Sequence, residues 1–151
     1  MALRSRAHAR DSSFTGWTQP SNLLLIFDKK MLDLNQPDGT GKLRITSVSM
    51  GPESSTYHLE GPVEGYGIAV VSATLNPRDA EETRGSVQAE ARVIGNDGTL
   101  ITTPVCGAFR REGNSLQIYV TDACSNGDMN FVSWTIDLIQ RTAEIRYWSL
   151  I

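Results

Sequence analysis

The stretch Glu90-Ala91-Arg92-Val93-Ile94-Gly95-Asn96-Asp97-Gly98-Thr99-Leu100-Ile101 decides the fold. Two runs of strand-forming residues flank a Gly-Asn-Asp-Gly cluster. Asn and Asp tolerate turn conformations, and Gly adopts positive φ without steric cost, so the cluster closes a hairpin. Side chains two apart on a strand share a face. Ala91 and Val93 therefore lie on one face of the first arm, with Glu90 and Arg92 on the other. Whether that charged face meets water or a lumen is the question the sequence leaves to the structure.

The same grammar recurs along the chain. Apolar or β-branched runs at 22–28, 42–50, 55–60, 66–75, 86–94, 99–106, 116–122, 131–139 and 143–150 alternate with clusters rich in Gly, Pro, Asn and Asp. Several runs alternate strictly: Val87, Ala89, Ala91 and Val93; Leu116, Ile118 and Val120; Trp134, Ile136 and Leu138. A period of two over so many segments is a strand signal. Helical periodicity is absent except for a turn or two expected at 77–84, where Pro77 precedes an acidic first turn. Eight to nine short, evenly spaced strands make a barrel or a sandwich, and short connections favour a meander. The Cys-Trp-Cys spacing of an immunoglobulin sandwich is missing. The expected architecture is an all-β, mainly antiparallel barrel, similar in outline to lipocalins and allene oxide cyclases. It forms a single domain over 21–151 after a flexible tail over 1–20.

Composition narrows the function classes. With 14 Lys and Arg against 17 Asp and Glu, the net charge is −3, and no basic stripe matches a phosphate backbone. No apolar run approaches the length of a membrane-spanning helix. The opening residues lack the apolar core of a secretory signal, and Cys106 and Cys124 read as free thiols in a reducing, cytoplasmic setting. His8 and His58 are the two histidines, too few for a multi-histidine metal site. Neither a nucleotide loop nor a nucleophile elbow occurs, so no cofactor and no metal are expected. The partners expected are a small-molecule substrate and a second copy of the chain, with neither nucleic acid nor membrane.

From Glu90 through Gly107, "EARVIGNDGTLITTPVCG" resembles a small β-barrel family catalogued as a domain of unknown function. Its members carry Ala-Arg, a later Asp-Gly, then Ile and Gly; here these are Ala91-Arg92, Asp97-Gly98, Ile101 and Gly107. Upstream "YHLEGPVEGYG" is similar to that family's aromatic strand and spaced glycines. Downstream "FVSWTIDLIQRTAEIRYWSLI" resembles its closing hairpin. The likeness covers about 42–151, and "VVSATLNPRD" stands where members have a Pro-Gly-Gly-x-Asp-Trp-like turn. Fungal members include cofactor-free cyclases that close oxygen heterocycles. The resemblance thus implies acid–base cyclisation or isomerisation of a small, apolar, oxygenated natural-product intermediate.

Ionisable residues within strands are the candidates for that chemistry. Glu90 and Arg92, if turned into the lumen, supply a proton carrier and a forked donor for an oxyanion; turned outward they are an ordinary surface pair. We expect the lumen. His58 is a candidate proton shuttle, with Glu60 on the same face as a substrate contact, against a structural role for both. Asp137 is either a pocket acid or an edge-strand charge that blocks aggregation. Tyr66, Trp134 and Tyr119 are candidate substrate contacts, against use in core packing or a dimer face. Two other functions compete with the enzyme: a lipocalin-like carrier, and a structural or assembly domain with a filled core. Convergence of the ionisable residues on one cavity favours the enzyme, and their dispersal around an apolar lumen favours the carrier.

Overall fold

A computed structural model describes residues 31–151, and the run at 22–28 and the proposed tail lie outside them. Eight strands follow one another: β1 (Gly39–Met50), β2 (Ser55–Val63), β3 (Gly67–Pro77), β4 (Arg84–Ile94), β5 (Leu100–Glu112), β6 (Ser115–Ala123), β7 (Met129–Asp137) and β8 (Thr142–Ser149). Each pairs antiparallel with the next, and β1 pairs with β8 from Gly39↔Tyr147 to Arg44↔Thr142, so the sheet closes into a barrel. Closure removes the exposed strand edges that a sandwich of the same strands would have to protect.

The period-two pattern explains which face turns inward. On β4, Val87, Ala89, Ala91 and Val93 are buried while Gln88, Glu90, Arg92 and Ile94 are exposed. On β6, Leu116, Ile118 and Val120 are buried, as are Asn130, Val132, Trp134 and Ile136 on β7. These inward faces pack with Leu43, Ile45, Leu59, Val71, Leu75, Phe109 and Ile145 into one core inside the barrel. Burial of these side chains is the main source of stability.

The turn that opened the reading forms as expected. Gly98 N–H donates to Gly95 O at 2.9 Å, and Gly95 N–H to Thr99 O at 2.9 Å. Gly98 takes φ +81°, a left-handed conformation that a side chain resists. Strands β4 and β5 then run in register from Ile94↔Leu100 to Arg84↔Arg110.

The helical turn expected at 77–84 is not there. Pro77 still belongs to β3, paired with Gly85 of β4, so only six residues span the turn. Asp79 organises them: its carboxylate accepts from Thr83 N–H at 2.9 Å and Arg84 N–H at 3.2 Å, and from the Thr83 hydroxyl. These bonds hold the Asp79 carboxyl below its usual pKa, the Thr83 hydroxyl contributing most. Strand pairing on both sides outweighs the weak helical preference of a six-residue segment.

The meander sends alternate connections to opposite ends. Connections 51–54, 78–83, 113–114 and 138–141 lie at one end, where Arg111 points along the inward phase of β5. Its guanidinium donates to Glu81 O at 2.7 Å, Gly113 O at 2.9 Å and Glu82 O at 3.2 Å. It ties the 78–83 loop across that end, above Tyr57, Leu75, Phe109, Leu116 and Leu138. The connections 64–66, 95–99 and 124–128 gather at the other end, together with residues 31–38, which lead into β1. The candidate site lies there.

Candidate functional site

A cavity of about 80 Å³ occupies the barrel interior toward this second end. Its wall is mostly aliphatic, with Leu43, Leu59, Val71, Val93 and Ile145 among its lining. Two features of the sequence leave the space open: Ala69 on β3 and Ala91 on β4 present only methyl groups there. Trp134, 5% exposed, is the largest side chain in the wall, and Tyr66 and Tyr147 line the cavity as well. The tyrosine rings meet edge to face at 5.2 Å between centroids, the arrangement favoured by their quadrupoles.

Tyr66 is positioned by its turn. It sits between Gly65 at φ +80° and Gly67 at φ +134°, both conformations that favour glycine. The tight reversal carries the phenol to Asp128 in the 124–128 connection, where it donates to Oδ2 at 2.8 Å. Tyr147 is anchored by donating to Glu64 O at 2.7 Å.

The polar part of the cavity is a cross-strand pair. Asp122 of β6 and Asn130 of β7 stand opposite each other in register. Asp122 continues the inward phase of Leu116, Ile118 and Val120, and Asn130 begins that of Val132, Trp134 and Ile136. Asp122 Oδ1 accepts from Asn130 N–H at 2.9 Å and from Asn130 Nδ2 at 3.0 Å, and the Cys124 thiol lies at 3.6 Å. Asn130 Nδ2 also reaches the Tyr66 hydroxyl at 3.1 Å. The hydrogen bonds to Asp122 all end on Oδ1, and Oδ2 accepts none from a described residue.

This environment shifts three groups. Burial pushes the Asp122 carboxyl above the usual aspartate range, against the lowering effect of the Asn130 bonds. Burial likewise pushes the Cys124 thiol up to about 11, and the Asp122 charge adds to the rise. A thiol so raised is a poor nucleophile near neutral pH, because the thiolate is the reactive form. Burial also raises the Tyr66 phenol, so it remains a proton donor to Asp128. Asp122, with a raised pKa and one open oxygen, is the group here suited to giving and taking a proton.

The structure redistributes the expected site residues. Tyr66 and Trp134 both line the cavity. Glu90 and Arg92 do not: they project from the outer face of β4, because Ala89, Ala91 and Val93 take the inward phase. The expectation that this pair faces the lumen is therefore corrected. The two opposite faces of a barrel strand cannot both be inside, and the apolar one buries at lower cost. His58 and Glu60 likewise alternate with inward Tyr57 and Leu59 and sit on the outer side of β2. Asp137 ends β7 as a turn cap, with Oδ1 accepting from Ile139 N–H and Gln140 N–H at 3.0 Å each and from Asn114 Nδ2 at 3.2 Å. Tyr119, 51% exposed, stacks on Phe131 outside the barrel at 6.1 Å. Phe131 in turn contacts Trp148, whose Nε1 donates to Asp33 O at 2.9 Å.

Asp122, Asn130, Cys124 and Thr103, which also line the cavity, are not among the residues the sequence reading singles out for the site. The signal existed for two of them: counting in twos along the apolar faces of 116–122 and 131–139 reaches Asp122 and Asn130. An acid and an amide on apolar phases of consecutive strands mark a lumen better than charges on an opposite face do.

Among the described residues no group of three or more His, Cys, Asp or Glu is placed to hold a metal ion, and no helix is long and apolar enough to cross a membrane. No protein-family model, curated protein or solved structure matches the chain.

Proposed function

We propose that the barrel binds a small, largely apolar oxygenated molecule and that Asp122 performs acid–base chemistry on it, as a cofactor-independent cyclase or isomerase. One observation carries this reading: a half-buried carboxyl with a raised pKa and an open Oδ2 stands on the wall of an otherwise apolar cavity. Perturbed carboxyls in clefts are characteristic of acid–base sites. The resemblance to cyclising barrels points the same way.

The chemistry balances without a cofactor. The Asp122 carboxylic acid gives its proton to an ether or epoxide oxygen as a carbon–oxygen bond breaks. A hydroxyl of the same molecule attacks the carbon, forms the new carbon–oxygen bond and returns its proton to the carboxylate. Trp134 and the apolar wall hold the chain folded for attack and exclude water, so proximity provides part of the acceleration. Arg92 has no part in this scheme, since it lies on the outer face.

The cavity's aliphatic wall and the outward placement of Glu90, Arg92, His58 and Glu60 favour a second reading, a carrier with the same lumen but no turnover. The two separate with 4,5-epoxypentan-1-ol as probe, followed by NMR for closure to a cyclic ether. The enzyme reading expects closure above the buffer rate and its loss in Asp122→Asn, which keeps the shape but cannot donate the acid proton. Closure no faster than in buffer, with the probe still shifting the amide signals of lumen residues, leaves the carrier. Loss of one general acid lowers the rate by about 100-fold or more.

A further inference from the structure

The outer wall of the barrel carries an apolar row. Pro62 of β2, Ile68 of β3, Ile94 of β4 and Leu100 of β5 stand side by side in register, each on the outer phase of its strand. Val70 follows Ile68 on the same face. Ile68, Val70, Ile94 and Leu100 are each about half exposed, and they are contiguous. Single exposed aliphatic side chains need no explanation, but a contiguous patch with a polar rim marks a surface that another molecule covers.

The rim is charged, and its signs are arranged about β3. At the level of Val70, Glu60 stands on the β2 side and Arg92 on the β4 side. At the level of Ser72, His58 stands on the β2 side and Glu90 on the β4 side. β3 itself, Gly67–Pro77, contains no ionisable residue. Among the described residues, ion pairs join Arg110 to Glu112 and Arg146 to Glu144, and none involves Glu60, Glu90 or Arg92.

We infer that this face packs against the same face of a second copy of the chain, across a two-fold axis running along β3. Such an axis sets the β2 side of one copy against the β4 side of the other, level by level. Ile68 and Val70 then meet their own counterparts on the axis, and Pro62 meets Ile94. Glu60 of one copy meets Arg92 of the other, His58 meets Glu90, and symmetry forms each pair twice. A strand on the axis faces itself, so it must be uncharged, and β3 is. An axis along β4 would set Arg92 on Arg92 and Glu90 on Glu90, and one along β2 would set Glu60 on Glu60. Like charges so placed repel. Face-packed sheets stand about 10 Å apart, a gap that Glu and Arg side chains close from opposite sides. The apolar row supplies affinity, and the charge pairs fix the register. The contact uses the outer phase of the strands alone, so each copy keeps its own lumen.

The test is sedimentation velocity on the full chain at pH 7 across the micromolar range, where a concentration-dependent dimer is expected. Val70→Lys places two ammonium groups against each other on the axis and should raise the dimer Kd by about 100-fold or more. A dispersed NMR spectrum of the variant checks its fold. Glu60→Arg or Arg92→Glu alone should weaken the dimer by about tenfold, and the two together should restore it to within about threefold, because the swapped pairs again match. On the unaltered 15N-labelled chain, dilution through dissociation should shift the amide signals of Ile68, Val70 and Arg92 and leave that of Tyr119, on the outer face of β6, in place. A chain that stays monomeric at its highest soluble concentration overturns the inference. So does a dimer that survives Val70→Lys, one that the double charge swap fails to restore, or dilution shifts centred on Tyr119.

Discussion

Asp122 is held in a position that costs stability. Its carboxyl has a raised pKa in the folded chain because burial disfavours the charged form more than Asn130 favours it. A raised acid pKa means that the folded state binds protons more readily than the unfolded one. Stability attributable to Asp122 is therefore greatest below the ordinary aspartate pKa of 3.8 and declines as pH rises through the higher folded value. Asp122→Asn removes the buried charge and retains an oxygen for Asn130. At pH 7 the variant should unfold at a urea midpoint no lower than the parent's. On acidification below pH 4 that relative advantage should shrink. A variant clearly less stable at pH 7 would mean that the Asn130 bonds outweigh desolvation. Tolerance of the loss, together with loss of turnover, is the signature of a residue kept for function rather than folding.

At the scale of elements, two connections differ in how they are held. The 95–99 turn is local: Gly98 supplies the left-handed φ, and Asp97 caps Thr99 N–H at 2.9 Å. The 78–83 connection depends on Arg111, more than twenty-five residues away, as well as on Asp79. Replacing Arg111 by Leu keeps its apolar stem but removes three hydrogen bonds to main-chain carbonyls. We expect a loss of about 1–2 kcal/mol in urea unfolding, the usual scale for a few part-exposed hydrogen bonds. Hydrogen exchange should rise at the Thr83 and Arg84 amides. Unchanged exchange there would show that Asp79 alone organises the loop. The sequence makes the first connection readable and hides the second. Asn-Asp-Gly announces itself, whereas nothing in "PRDAEETR" says that a distant guanidinium will bind its carbonyls.

For the whole molecule, closure decides everything that concerns the site. Pairing of β1 with β8 turns the shared apolar phase of the strands into an interior, and the meander places one set of connections around the cavity. The space itself depends on small side chains at Ala69 and Ala91. Ala91→Leu would fill it from β4, opposite Thr103 on β5. We expect the amide shifts that 4,5-epoxypentan-1-ol produces at lumen residues to be lost, with stability changed by no more than about 2 kcal/mol, since filling and overpacking act in opposite directions. Unchanged probe affinity in that variant would place the binding site outside the barrel.

The sequence by itself determined an all-β antiparallel meander, the eight described strands and the hairpin at 95–99. Alternation and turn chemistry are local properties that survive in the linear chain. It also determined which residues of each strand share a face. Tertiary structure decided which face is inside: the apolar one, so that Glu90, Arg92, His58 and Glu60 lie on the outer surface. It also decided what the inside contains. Asp122 and Asn130 are polar residues on apolar phases, eight positions apart in the chain and opposite one another only because β6 and β7 pair. Tyr66 and Asp128 are 62 positions apart and meet only because the two turns that hold them fall at the same end of a closed barrel. A face is a matter of period, and a site is a matter of closure.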